Sequence, residues 1–253
     1  MKFRTISRLQ YIKRARHRRG HGIHSPFLFR LITTVIEGKT NNPGYMAFKQ
    51  LKKEAIGLIK GPMTPELSNL FAHFNLPVSK SRKLFRKLEL PLQYSKAVFR
   101  LVQYFQPANI LYYGPTLGVN LAVVNMAINK SKLYYIEDEI IYQRFISELN
   151  IKSNIIEINN LTEEQIFPDK AEFSLINYPF DPVRSRKILQ NRIDLHGPDD
   201  VVVIRGIHES KGMESVWMDL KQSTEVRVSL DLFEIGIFLF RKGLQKEDFI
   251  LKF

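Results

Sequence analysis

The sequence predicts an α/β protein: a seven-stranded, mostly parallel sheet with helices on both faces, preceded by an all-helical N-terminal extension. Three observations carry this. From residue 107 onward, short apolar runs alternate with helical patterns, as in successive βα units. Before that point the apolar residues recur at spacings of three and four. Charge also divides the chain. Residues 1–100 hold 21 Lys and Arg against 4 Asp and Glu, a net of +17, while residues 101–253 hold 17 against 21, a net of −4.

The helical part begins with Phe3, Ile6, Leu9 and Ile12, an apolar stripe among Arg4, Arg8, Lys13, Arg14, Arg16, Arg18 and Arg19. A short basic amphipathic helix of this kind can lie on a membrane surface. The favoured expectation is that its stripe packs on the rest of the protein. Gly20-His21-Gly22-Ile23-His24-Ser25-Pro26-Phe27 follows. Ser25 and Pro26 suit an N-cap and first helical position, opening a helix that should run to residue 37. His21 and His24 could bind an anion, shuttle a proton or ligate a metal, or simply cap helix ends. Without a nearby carboxylate they make a poor metal site. Further helices are expected over about 45–59, from Thr64-Pro65 to Pro77, from Ser79 or Ser81 to 88, and over 93–105. The boundary near residue 90 is a change of architecture, dividing a basic extension, 1–90, from a sheet domain, 91–253.

The second part is organised around residues 107–127, PANILYYGPTLGVNLAVVNMA. Residues 109–113 have the length and apolarity of a parallel strand. Gly114 and Gly118 bracket a turn, and a helical pattern starts at Val119. Glycines here let a ligand approach the backbone, and the helix start aims free N–H groups at it. Further strands are expected over 133–136, 154–158, 172–177, 200–204, 225–231 and 235–241, with residues 249–253 available as a terminal one. Ligands on such sheets sit beyond the carboxyl ends of the strands.

Composition narrows the classes. With 44% hydrophobic residues the chain can bury a substantial core. No run approaches the roughly 18 apolar residues of a membrane span. The N-terminus lacks the apolar core of a secretory signal. There is no cysteine, which excludes disulfides, thiolate metal sites and cysteine nucleophiles, and is compatible with a cytoplasmic location. The basic first part suggests an anionic partner: nucleic acid, phospholipid or an acidic substrate. The expectation is weak, non-specific polyanion binding through residues 1–100. The alternative is a solvated basic face that partly docks on the acidic second part.

The Gly-x-x-x-Gly turn and the order of elements over roughly residues 90–253 resemble class I S-adenosylmethionine-dependent methyltransferases, whose sheet is Rossmann-like and seven-stranded. The whole chain, with HGIHSPF near its start and DLFEIGIFLFRKG near its end, resembles a bacterial O-methyltransferase-like group. The resemblance implies S-adenosylmethionine as cofactor and a small-molecule acceptor. It places Tyr112, Gly114, Thr116, Gly118 and Asn177 around the cofactor. Glu137, with Asp138 beside it, would hold the ribose hydroxyls, since a carboxylate can accept from both. Glu137 could equally be a carboxylate favoured by a helix N-terminus. Asn160 would meet the adenine.

Four positions depart from the family pattern. Tyr112 stands in the acidic place of the first motif, and Pro115 removes an N–H from the turn. Asn177 ends strand four and Arg205 ends strand five, where catechol-type relatives hold a divalent cation with acids. Mg²⁺ needs hard oxygen ligands, so a metal-free site is expected. Candidate general bases near the site's mouth are His208, Asp181 and His24, each with a structural alternative. Two readings follow. One is a metal-independent methyltransferase. The other is a catalytically degenerate fold that acts as a binding or scaffold module through its basic helices. A nucleic-acid methyltransferase is a third reading, drawing on the basic part alone. Asn177-Tyr178-Pro179-Phe180 only loosely resembles the amino-methyltransferase signature.

Overall fold

The computed structural model describes residues 3–16, 20–39, 42, 44–128, 130–136, 145, 147, 149, 155–157, 171–177 and 180–253. Among these, helix α1 spans Phe3–Arg14. Helix α2, Pro26–Arg30, runs directly into a π-helical segment, Leu31–Ile36. Then come α3 (Gly44–Lys60), α4 (Pro65–His73), a 3₁₀ turn (Val78–Lys80), α5 (Ser81–Leu88) and α6 (Leu92–Phe105). Strand β1 (Asn109–Tyr113) leads into α7 (Val119–Ala127) and β2 (Lys132–Ile136). The remaining elements are β3 (Ile155–Glu157), β4 (Phe173–Ile176), α8 (Pro182–Asp194), β5 (Val201–Arg205), α9 (Lys211–Leu220), β6 (Val228–Asp231), β7 (Ile235–Leu239) and β8 (Glu247–Ile250).

Local chemistry explains several boundaries. Ser25, Thr64, Asp181 and Ser210 each accept a backbone N–H of the first turn of α2, α4, α8 and α9, and a proline follows the first three. Strands β4 and β5 are buried along their whole length, as expected for parallel strands covered on both faces.

The sheet runs β3-β2-β1-β4-β5-β7-β6-β8. The first five strands are parallel, and β7 is antiparallel to both β5 and β6. The seven-strand expectation is corrected here: β8 adds an eighth, parallel to β6 with Leu230 opposite Phe249. The Nζ of Lys246 donates to the carbonyls of Ser223 and Val226 at 2.6 Å, which fixes the chain beside that edge.

Alternate residues of the strands face two apolar layers. Ile110, Leu175, Val203 and Ile237 pack against α2, its π-helical continuation, α3, α6 and α7. Leu111, Ile176, Val202 and Phe238 pack against α8 and α9. A third cluster joins α3, α4 and α5 to Leu117 and Val119 of the glycine turn. The N-terminal helices therefore lie over the carboxyl end of β1, where the expected site begins.

Helix α1 reverses its expected orientation. Ser7 and Tyr11 face inward, while Ile6, Leu9 and Ile12 are 41%, 50% and 55% exposed. The surface beneath the helix is acidic, so the polar face docks. Arg4 meets Glu209 and Glu234 at 2.6 Å, Tyr11 donates to the Leu251 carbonyl, and the Arg8 guanidinium lies over Phe233 at 5.5 Å. No helix among the described residues is long and apolar enough to cross a membrane.

Candidate functional site

The turn between β1 and α7 has the backbone that its sequence demands. Gly114 and Gly118 sit at φ +105° and +88°, values that L side chains rarely adopt. Gly114 N donates to the Ile136 carbonyl and Asn177 N to the Tyr113 carbonyl, tying together the carboxyl ends of β1, β2 and β4. Helix α7 starts at Val119, and its first N–H groups point into the space above those ends. A helix start in this position is an anion site, through its unpaired N–H groups and its dipole.

A side chain of the protein fills that site. Glu89, between α5 and α6, is 1% exposed and presents both carboxylate oxygens to the turn. Oε1 accepts from Thr116 Oγ1 at 2.7 Å and from Leu117 N at 2.6 Å, and Oε2 accepts from Asn120 N at 2.7 Å. Asn120 returns the contact, its Oδ1 accepting from Leu90 N at 3.2 Å. Burial pushes the Glu89 carboxyl up to about 7. The three donors and the nearby Arg205 charge act in the opposite direction.

Tyr112, Asn177 and Arg205 form a second hydrogen-bonded group beside it. Tyr112, fully buried, receives a hydrogen bond from Asn177 Nδ2 at 3.0 Å. The same nitrogen meets the carbonyls of Leu88 and Pro115. Desolvation, with the Glu89 charge nearby, raises the Tyr112 phenol far above its ordinary value, so it stays protonated. Arg205 reaches from the end of β5 into this network. Its Nη1 donates to the Lys87 carbonyl at 2.7 Å and to Asn177 Oδ1 at 3.0 Å. Its Nη2 donates to the Arg86 carbonyl at 3.0 Å. Burial works against the arginine's charge, and Glu209, Glu89 and Glu234 support it. An arginine at this place offers a cation no ligand. Among the described residues, no group of three His, Asp or Glu could hold a metal ion.

The candidate bases are dispersed. Asp181 is the N-cap of α8, its Oδ1 accepting from Val183 N and Arg184 N at 2.9 and 3.1 Å. His24 is exposed in the loop before α2. His208 is buried, with Nε2 at 2.8 Å from Asp231 and Nδ1 at 3.0 Å from Glu214, and its ring stacks on Phe233. Burial lowers its pKa, but the hydrogen bonds and charges of Asp231 and Glu214 outweigh this and carry it above 6.5. Both ring nitrogens are engaged, as in a structural histidine held between carboxylates.

The structure thus brings Tyr112, Gly114, Thr116, Gly118 and Asn177 together, and leaves His24 and Asp181 outside the network. Glu137, Asp138 and Asn160 lie outside the described residues, as do Arg18 and Arg19. Sequence reasoning missed Glu89. The available signal was an acid between Leu88 and Leu90, one of only four acids in the first 100 residues.

The residues at the methionine end of the expected cofactor site do not fit that group as they stand. The turn's donors already hold a carboxylate, and the Tyr112, Asn177 and Arg205 side chains beside it are bonded to one another or to backbone carbonyls, while Asn120 Nδ2 is buried without a partner.

No family model matches the chain, and no curated protein matches it. Solved structures do resemble it. The S-adenosylhomocysteine-bound methyltransferase PaMTH1 of Podospora anserina aligns with a TM-score of 0.57 at 8% identity, over 86% of this chain and 97% of that one. A putative caffeoyl-CoA O-methyltransferase from Staphylococcus aureus gives 0.52 at 12%, over 70% and 97%. The O-methyltransferase TomG of Streptomyces achromogenes, solved with S-adenosylmethionine, gives 0.50 at 14%, over 74% and 90%. At these identities the likeness is one of fold: the chain has a methyltransferase-like α/β architecture.

Proposed function

We propose that the chain is a methyltransferase-like fold that works as a binding module through its basic helical part. The observation that supports this is Glu89. A ligand carboxylate at the glycine turn would need the Thr116 hydroxyl and the N–H groups of Leu117 and Asn120, and Glu89 holds all three. Arg205 and Asn177 add a second layer, bonding the α5–α6 link to the ends of β4 and β5. In this reading residues 1–90 meet the partner and residues 91–253 form the frame.

A second reading has one observation in its favour. A carboxyl pushed up to about 7 is close to half neutral at physiological pH, and in that form it holds the helix start less strongly. It could then yield its place to a ligand. The chain would be an S-adenosylmethionine-dependent methyltransferase with a metal-free site and a small-molecule acceptor.

Calorimetric titration with S-adenosylmethionine and S-adenosylhomocysteine separates the two. The expected result is no binding by the wild type at millimolar ligand, with affinity appearing in Glu89→Ala, whose three donors are released. Micromolar binding by the wild type, with methyl transfer to any acceptor, overturns the binding-module reading.

A further inference from the structure

From the outward face of α1, we infer a docking surface for an anionic lipid bilayer. This deepens the binding-module reading by naming its partner, and its test is read without reference to the cofactor titration.

Helix α1 is held by its polar side: Arg4 on Glu209 and Glu234, Tyr11 on Leu251, and Ser7 near Glu214. Its other side carries the aliphatic residues. Ile6, Leu9 and Ile12 are all exposed and fan over about 120° of the helix at 100° per residue. They cover about 9 Å along its axis. Lys13 lies within that arc, and Arg8, Arg14 and Arg16 are exposed around it. No acid occurs in the chain before Glu37.

Charge selects the occupant. A second copy of this chain would bring its own basic helix to the same surface, against like-charge repulsion. A nucleic acid would use the cations but not the aliphatic residues, because base stacking needs aromatic faces and this arc has none. An anionic bilayer uses both, taking aliphatic side chains below its headgroups while the headgroups meet Lys and Arg. The helix lies along the protein surface rather than projecting from it. It can therefore rest in the plane of an interface without unfolding.

The test is co-sedimentation of the full chain with vesicles of phosphatidylcholine alone and of phosphatidylcholine with phosphatidylglycerol. Binding to the anionic vesicles alone is expected, falling as salt rises. The double substitution Leu9→Ser with Ile12→Ser should weaken that binding by about tenfold or more while leaving the thermal melt in place, because both side chains are already exposed. Absence of binding, equal binding to neutral vesicles, or full binding by the double variant overturns the inference. So does retention on RNA stronger than on the anionic vesicles and unaffected by the two substitutions.

Discussion

Two polar clusters lie at the carboxyl ends of the strands, and the N-terminal part closes both in opposite ways. At the glycine turn, the link between α5 and α6 brings an acid, Glu89, to a helix start rich in donors. At the β5–β7 corner, α1 brings a base, Arg4, to two carboxylates. The first closure is fully buried and the second is partly solvated, with the Arg4 side chain 41% exposed. A buried closure is expensive to break because its partners are left without water, whereas a solvated one is not. The comparison shows why the same basic segment can seal one site and merely rest on another.

The largest effect is expected at Arg205, the cation of the buried closure. Arg205→Met leaves the carbonyls of Lys87 and Arg86 unpaired and removes the positive charge that favours the Glu89 carboxylate. A loss of about 3–5 kcal/mol is expected, the scale for removing one partner of a buried charge network. Urea unfolding measures it, and the loss should barely change with salt, because buried interactions are screened little. A loss below about 1 kcal/mol would mean that the closure is solvated after all.

Glu89 gives the next effect, through pH. Its folded value, about 7, lies above the ordinary 4.5, so the folded state binds its proton more tightly than the unfolded chain does. Stability from this group is therefore greatest below pH 4.5 and falls as pH rises to about 7. The fall is roughly 3 kcal/mol at 1.36 kcal/mol per unit. His208, raised above 6.5, adds a loss of the same sign as pH rises past its folded value. The difference between the wild type and Glu89→Gln isolates the carboxyl. The variant should lack the decline between pH 4.5 and 7. If the two proteins decline in parallel across that window, the carboxyl is not what titrates.

The fold was largely legible because periodicity reports burial on both faces of each element. Residues 109–113 and the glycine turn after them read directly as strand and turn, since glycine reaches the positive φ of such a turn without steric cost, and Gly114 and Gly118 both adopt it. The eighth strand was harder, because residues 247–250 include Glu247 and Asp248 and pair only at an edge. The orientation of α1 was misread for a physical reason. Its apolar stripe predicts burial only if the surface below is apolar, and that surface holds Glu209, Glu214 and Glu234 from distant parts of the chain. Glu89 was hidden in the same way. Its partners lie 27 to 31 residues away, and nothing local marks a buried carboxylate. In the sequence Arg205 shows only that an acid is missing from the end of strand five, because its carbonyl partners on α5 are more than 100 residues distant.

The smallest effect completes the contrast. Arg4 pairs with Glu209 and Glu234 at 2.6 Å, but solvent reaches the arginine, and Lys87 also reaches Glu209 at 2.7 Å. Removing Arg4 therefore leaves neither carboxylate stranded: Lys87 serves one, and water can serve the other. Arg4→Ala should cost about 0.2–1 kcal/mol, the range for exposed pairs. The cost should shrink further as salt rises toward 1 M, where the screening length falls to about 3 Å. Urea unfolding of the wild type and the variant at two ionic strengths checks both points. A loss above about 2 kcal/mol, unchanged by salt, would place Arg4 in the same class as Arg205. The two closures would then differ in sign but not in strength, and α1 would be a fixed part of the fold rather than a helix resting on it.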